Sequence, residues 1–158
     1  RLKNFGIVNE STIDDISLNG KLSEVHAALG LLQLKNIDHT LQARQKIDRI
    51  YRSSFIDIEG IRCIERINLV KDNYSYFPIV ISEPYPLSRD ELFEKLKLNN
   101  IFARKYFYPI MTDLAVYKKY QSDTPEAKRL SEQVLCLPLY PDLCIESVEK
   151  IINLIKDN

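Results

Sequence analysis

The feature that most constrains this fold is the run SLNGKLSEVHAALGLLQLKNID, Ser17 to Asp38. Leu22, Val25, Leu29 and Leu32 recur at helical spacing, and Ala27, Ala28, Leu31 and Leu34 fill the other sides. A helix apolar on most faces has to be covered on several of them. Ala27, Ala28 and Gly30 permit close approach. A polar, turn-prone run, Asn19-Gly20-Lys21, precedes the helix, and Ser23 and Glu24 occupy its first turn. Such an end suits an anion, but from the pattern alone an ordinary turn and cap is the simpler reading. His26, on an apolar helix, reads as a satisfied core residue, and Ser23, Glu24 and His26 point apart and form no nucleophile set.

The rest of the chain reads as a support for that helix. Arg1 to Ile16 lack periodicity and read as a connecting segment. Asn36 is expected to interrupt the first helix and Asp38 to cap a second, amphipathic one, giving a helical hairpin. Gly60 ends it. IRCIE (Ile61 to Glu65) alternates as a strand, and YSYFPIVI (Tyr74 to Ile81) is the strongest strand signal. Pro78 points to an edge position or a bulge there. Ser88 with Glu91 forms a capping box for a helix that Asn99-Asn100 closes. IFARKYFYP (Ile101 to Pro109) reads as a strand, TDLAVYKKY as a short helix, and Thr124-Pro125 as the start of another. VLCLPLY is a short strand, and IESVEKIINLIKDN a terminal amphipathic helix. The expected fold is α+β: a small mixed or antiparallel sheet with helices on one face, preceded by a long helical hairpin. The organisation follows as a connecting segment over 1–18, the hairpin over 19–58 and the small α+β domain over 59–158.

Composition removes several function classes. The 158 residues carry 22 Lys plus Arg and 22 Asp plus Glu. This balance argues against nucleic acid or another polyanion held by bulk charge. No apolar stretch is long enough to span a bilayer, and no signal-peptide pattern stands at Arg1. Cys63, Cys136 and Cys144 are odd in number and lack metal-ligand spacing, so they read as buried free thiols in a reducing cytoplasm. With only His26 and His39 as histidines, no metal site is expected. The chain has no initiator Met and reads as a piece of something longer.

A second candidate site lies in ARKYFYP. On a strand, Arg104, Tyr106 and Tyr108 share one face, while Lys105 and Phe107 take the other. A guanidinium in line with two phenols suits a phosphate or a sugar; the same pattern also describes a half-buried aromatic sheet face. No Walker loop, dinucleotide glycine fingerprint or zinc-type spacing is present.

LNGKLSEVHAALGLLQLKNID, preceded by RLKNFG, resembles the segment after the cofactor lysine in the nucleotide-sugar aminotransferases of the DegT/DnrJ/StrS family, which use pyridoxal 5'-phosphate. YSYFPIVI, SRDELFEKLKLNNIFARKYFYPI and AKRLSEQVLCLPLYPDLCIESVEKIINLI resemble later family segments in the same order, so the likeness covers essentially the whole chain. The resemblance implies the small domain of a fold-type-I aminotransferase, with 1–18 leading in from the family's large domain and 19–58 serving as dimer and interdomain contact. It implies that Asn19 reaches the cofactor phosphate of a neighbouring subunit, in a homodimer. Lys21 is then near the mouth of the active site, and Arg104, Tyr106 and Tyr108 contribute to the nucleotide-sugar pocket. Glutamate is the implied amino donor and the cytoplasm the implied compartment. Ser17, Lys21 and His26 depart from the family's Gly, Arg and Gln, and Ile110, Met111 and Thr112 stand where a His often follows its Tyr-Pro motif. The Schiff-base lysine belongs to the family's large domain, upstream of Arg1, so these residues alone are expected to be inactive. Two alternatives remain open at this point: a sugar dehydratase of the same family, and a non-catalytic α+β dimerisation module.

Overall fold

The computed structural model describes residues 3–67, 70–120 and 122–157; Arg1, Leu2, Asn68, Leu69, Gln121 and Asn158, which fall within segments read above, lie outside it. The chain divides into two compact units, Arg1–Asp38 and His39–Asn158.

The first unit contains a small hairpin where the sequence offers only a connecting segment. Strand β1 (Ile7–Asn9) pairs antiparallel with β2 (Thr12–Ile13). The turn between them is held by the Asn9 side chain, which accepts from the Ser11 amide at 3.1 Å. Gly6 enters the hairpin at φ +71°, and a Cβ there would stand 2.3 Å from the Asp15 carbonyl oxygen, so the position requires glycine. Both strands are exposed, so they lack the one-sided apolar alternation by which strands are read from sequence.

Helix α1 runs without a break from Glu24 to Phe55. The expected hairpin is therefore a single helix of 32 residues. Asn36 does not interrupt it, because its side-chain amide donates to the Leu32 carbonyl at 3.3 Å, within the helix's own turn. The neighbouring Gln33, Leu34 and Lys35 are good helix formers, and one Asn costs only a few tenths of a kcal/mol against them. The unit boundary falls inside this helix.

The second unit holds the core. Strands β3 (Ile61–Cys63), β4 (Phe77–Ile81) and β5 (Val134–Leu137) form an antiparallel sheet in the order β3-β4-β5. Helices α2 (Arg89–Leu98), α3 (Pro125–Gln133) and α4 (Ile145–Lys156) complete it, with short 3-10 segments at Met111–Asp113 and Ala115–Tyr120. Phe77, Ile79 and Ile81 of β4 meet Tyr51 and Phe55 of α1, Leu92 and Leu96 of α2, and Val148, Ile151 and Ile155 of α4 in one cluster. Pro78 and Val80 alternate to the other face. The fold is α+β with a small antiparallel sheet covered on one face by helices, as the sequence implies.

Pro78 nevertheless sits in the central strand rather than at an edge. It faces Cys136 of β5, whose amide and carbonyl both bond Arg104 on the far side at 2.8 and 2.9 Å. The Pro78–Cys136 pair thus exchanges no ladder bonds, and the missing Pro78 donor points past the end of β3, whose last partner on β4 is Ile79.

Helix α2 starts and stops as its sequence dictates. Ser88 and Glu91 close the capping box. At the other end Asn100 takes φ +60°, with Asn100 bonding Lys97 and Ile101 bonding Leu96, the Schellman pattern. Of the thiols, Cys136 is buried, Cys63 half-buried and Cys144 exposed, so the expectation of three buried thiols fails at Cys144.

Candidate substrate and cofactor site

The two candidate clusters belong to different units. In the first, Lys3 and Asn4 pair with Asn19 and Gly20: the Gly20 amide donates to Lys3 at 2.9 Å and the Phe5 amide to Leu18 at 3.1 Å. This extended pairing carries Asn19 and Lys21, both exposed, with the Lys21 ammonium 6.0 Å from the centre of the Phe5 ring. The helix begins only at Glu24. Its cap is Ser23, whose Oγ accepts from the His26 amide at 3.4 Å and lies 2.7 Å from His26 Nδ1. His26 is exposed and bonded to that cap, so it is no core residue. Asn19 and Lys21 thus belong to the strand-like lead-in rather than to the helix end. An amide and an ammonium, exposed beside Gly20, are the donor types that phosphate oxygens accept, and they fit the phosphate end of pyridoxal phosphate.

In the second unit the expected strand over Ile101–Pro109 is absent. Only Arg104 forms a bridge, to Cys136. The chain then turns, with the Tyr108 amide donating to the Lys105 carbonyl at 3.0 Å. Arg104, Tyr106 and Tyr108 therefore do not line up on one strand face. The structure joins the first two: Arg104 Nη1 donates to the Tyr106 hydroxyl at 2.7 Å. Tyr108 lies elsewhere, its ring centre 4.7 Å from the Arg89 guanidinium. The alternation breaks because Lys105 and Tyr108 are each drawn to the first turn of α2.

Tyr76, Arg89 and Asp90 escape the sequence reading, which places Phe107 and Lys105 on the opposite face. The Tyr76 ring meets Tyr106 edge-on at 5.1 Å. Phe107 stands 4.9 Å from Tyr106. Arg89 and Asp90 hold the turn from below: Asp90 Oδ1 is 2.6 Å from Arg89 Nε and 2.6 Å from Lys105 Nζ. The hydrogen bond from Lys105, joined by the Arg89 charge, holds the Asp90 carboxyl below the ordinary value of 3.8. One signal in the sequence does point to Arg89. A cation in the first turn of a capped helix opposes the helix dipole, so it needs another reason to be there. The resulting surface presents a guanidinium, phenol hydroxyls and aromatic faces, a set that binds phosphates and stacks against flat or apolar rings. Among the described residues no cluster of His, Cys, Asp and Glu could hold a metal ion, and no helix is long and apolar enough to cross a membrane.

A small α+β domain with a long leading helix, an exposed amide-ammonium pair and an arginine-tyrosine cluster is the class that fold and site define. Residues 1–156 match the model of the DegT/DnrJ/EryC1/StrS aminotransferase family, and the chain belongs to that family. It is 44% identical over 159 residues to a dTDP-4-amino-4,6-dideoxy-D-glucose transaminase from Shigella dysenteriae, an alignment covering 99% of this chain and 43% of the relative. The corresponding transaminase of Escherichia coli is 43% identical, with 98% and 43% covered. In three dimensions the chain is similar to DesV from S. venezuelae, with a TM-score of 0.82 at 21% identity over 99% of this chain and 42% of that one. The chain thus spans less than half the length of the relatives it matches.

Proposed function

We propose that these residues form the small domain of a cytoplasmic, homodimeric sugar aminotransferase that moves an amino group between glutamate and a keto-deoxysugar nucleotide. The carrying observation is the match to a sugar-nucleotide transaminase at 44% identity over 99% of the chain. It favours transamination over dehydration and over a free-standing interaction module, and it makes a dTDP-linked 4-amino-4,6-dideoxyglucose the amino sugar to test first. When bound, the cofactor pyridoxal phosphate supplies the electron sink through which the amino group is exchanged.

The roles of this chain's residues follow from their chemistry. The Asn19 amide and Lys21 ammonium donate to anionic oxygens, with Asn19 assigned to the cofactor phosphate of the partner subunit and Lys21 to the mouth of the site. Arg104 addresses the diphosphate of the sugar nucleotide. Tyr106, already bonded to Arg104, fixes the guanidinium plane and offers its ring for stacking. Tyr108 is held apart from that pair, against Arg89, and is assigned no direct contact with the sugar nucleotide. None of the chain's lysines is assigned a covalent role, so the isolated residues are proposed to be inactive.

Kinetics of the complete enzyme test this reading. Arg104→Ala should raise KM for dTDP-4-amino-4,6-dideoxy-D-glucose about 10- to 100-fold, the loss of one charge-assisted contact, with KM for the 2-oxo-acid acceptor unchanged. Unchanged KM for the sugar nucleotide overturns the assignment. Asn19→Ala should weaken cofactor affinity, read by fluorescence titration, and equal affinity removes the phosphate role. For the isolated chain, a stable cofactor absorbance band that borohydride removes, leaving the cofactor covalently attached, would contradict its inactivity.

A further inference from the structure

Arg89 is the first residue of α2, the place where a helix least favours a cation. It is also buried, at 3% exposure. A guanidinium does not take such a position without several partners. Its Nε lies 2.6 Å from Asp90, and its Nη1 donates to the Ser131 carbonyl at 2.8 Å, which ties α2 to α3. Its flat face carries the Tyr108 ring. Asp90 in turn holds Lys105, whose ammonium also lies 4.4 Å from the centre of the Phe93 ring.

The geometry has one consequence for the neighbouring turn. Lys105 and Tyr108 are its two ends, closed on each other by a backbone hydrogen bond, and both are pinned to the first turn of α2. Tyr106 and Phe107 are the residues between the pins. Arg104, immediately before, is held independently by its two backbone bonds to Cys136. With both anchors in place, the Arg104 guanidinium and the Tyr106 hydroxyl meet at 2.7 Å. Neither Arg89 nor Asp90 belongs to that pair, yet each fixes one end of the turn that delivers Tyr106 to it.

We infer that Arg89 and Asp90 are positioning residues for the sugar nucleotide: they hold the Lys105–Tyr108 turn so that the Arg104–Tyr106 pair is assembled before the substrate arrives. This rests on the proposed role of Arg104 and Tyr106. Releasing the turn leaves those side chains free, and substrate binding then has to order them.

Because Arg89 is buried, its truncation confounds folding with positioning, and the more accessible Asp90–Lys105 contact carries the test. Asp90→Asn, Lys105→Met and the double variant are compared in the complete enzyme. Each should raise KM for dTDP-4-amino-4,6-dideoxy-D-glucose about three- to tenfold, the cost of re-ordering one or two side chains. The turnover number should stay within about twofold and KM for the 2-oxo acid should not move. The double variant should lose clearly less than the sum of the single ones, since the Asp90–Lys105 contact is broken in each, and Asp90→Glu should recover most of the loss. Hydrogen exchange at the Tyr108 amide should accelerate in Asp90→Asn, a readout that requires no substrate. Unchanged sugar-nucleotide KM in both single variants, while Arg104→Ala raises it, overturns the positioning role and leaves the proposed function standing. Unchanged KM in Arg104→Ala as well removes both. Equal losses in both KM values and in turnover, with additive behaviour in the double variant, mean general destabilisation and also overturn it.

Discussion

The two halves of α1 share one continuous backbone and differ in almost everything else. From His39 onward the helix sends Ile47, Tyr51 and Phe55 into the core, with Tyr51 fully buried and its hydroxyl donating to the Pro138 carbonyl at 3.1 Å. Before Asp38 the helix is at least as apolar, yet Val25 is 78% and Leu29 55% exposed. Helix formation and burial are thus separate events. Backbone geometry propagates through Asn36 and Asp38 because local propensity permits it; burial requires something to pack against. In the second half that something is the sheet. In the first half the leucine face is left open, a surface of the kind that the proposed homodimer would cover.

The largest expected difference between the halves is thermodynamic. Phe55→Ala removes a ring that stacks on Tyr51 at 5.7 Å and packs against Phe77 at 6.4 Å, and should cost about 3–5 kcal/mol in urea unfolding of the isolated chain. Leu29→Ala, an equally apolar change 26 residues earlier on the same helix, should cost no more than about 0.5 kcal/mol. Similar losses at both positions would break the comparison.

The next effect is electrostatic and again specific to the second half. Asp48, at 2% exposure, receives Arg52 Nε at 3.1 Å and Arg66 Nη2 at 2.6 Å. Arg66 also covers the Tyr74 ring at 4.2 Å, so this carboxylate ties α1 to the segment leading into β4. Asp48→Asn leaves two cations facing a neutral amide and should cost about 2 kcal/mol. The same unfolding measurement checks it, and a neutral result would show that the pair gains no more than its burial costs.

The first half should respond to a different measurement. Replacing both Leu29 and Leu32 by Lys leaves the exposed helix formed but makes its apolar face charged. Sedimentation of the isolated chain should then shift toward the monomer relative to the unaltered chain, with little change in helicity by circular dichroism. Identical sedimentation of the two would mean that this face takes no part in association.

These contrasts explain which elements were legible in the sequence. Helices α2 and α4 were readable because their caps and one-sided apolar stripes are local signals, satisfied within a few residues: Ser88 with Glu91, or Val148, Ile151 and Ile155. Pro78 misled because its cost depends on where β3 ends, a fact of the neighbouring strand. The segment Ile101–Pro109 misled for a related reason. Its alternating residues suit a strand, but Asp90 and Arg89, at least fifteen residues earlier, draw Lys105 and Tyr108 out of line. Of the candidate site, Arg104 and Tyr106 were legible as residue types, and their direct contact was not. The hairpin β1–β2 was invisible because neither strand buries a face.

The smallest effect concerns that same long-range tether and is set by pH. The folded-state value of Asp90 is depressed below its ordinary 3.8, chiefly by the hydrogen bond from Lys105. A depressed carboxyl contributes stability that is fully present above the ordinary value and is lost as pH falls through the folded one. Between pH 5 and 8 the turn should therefore be insensitive to pH, and below about pH 4 it should begin to loosen while the apolar core around Phe77 persists. Carbon-13 titration of the Asp90 carboxyl should give a midpoint below 3.8, and Lys105→Met should move that midpoint upward. A midpoint that is the same with and without Lys105 would mean the ammonium is no anchor in solution. The Arg89–Tyr108 contact would then be the tether that holds the Lys105–Tyr108 turn to Arg89 and Asp90, and the turn should loosen independently of acid.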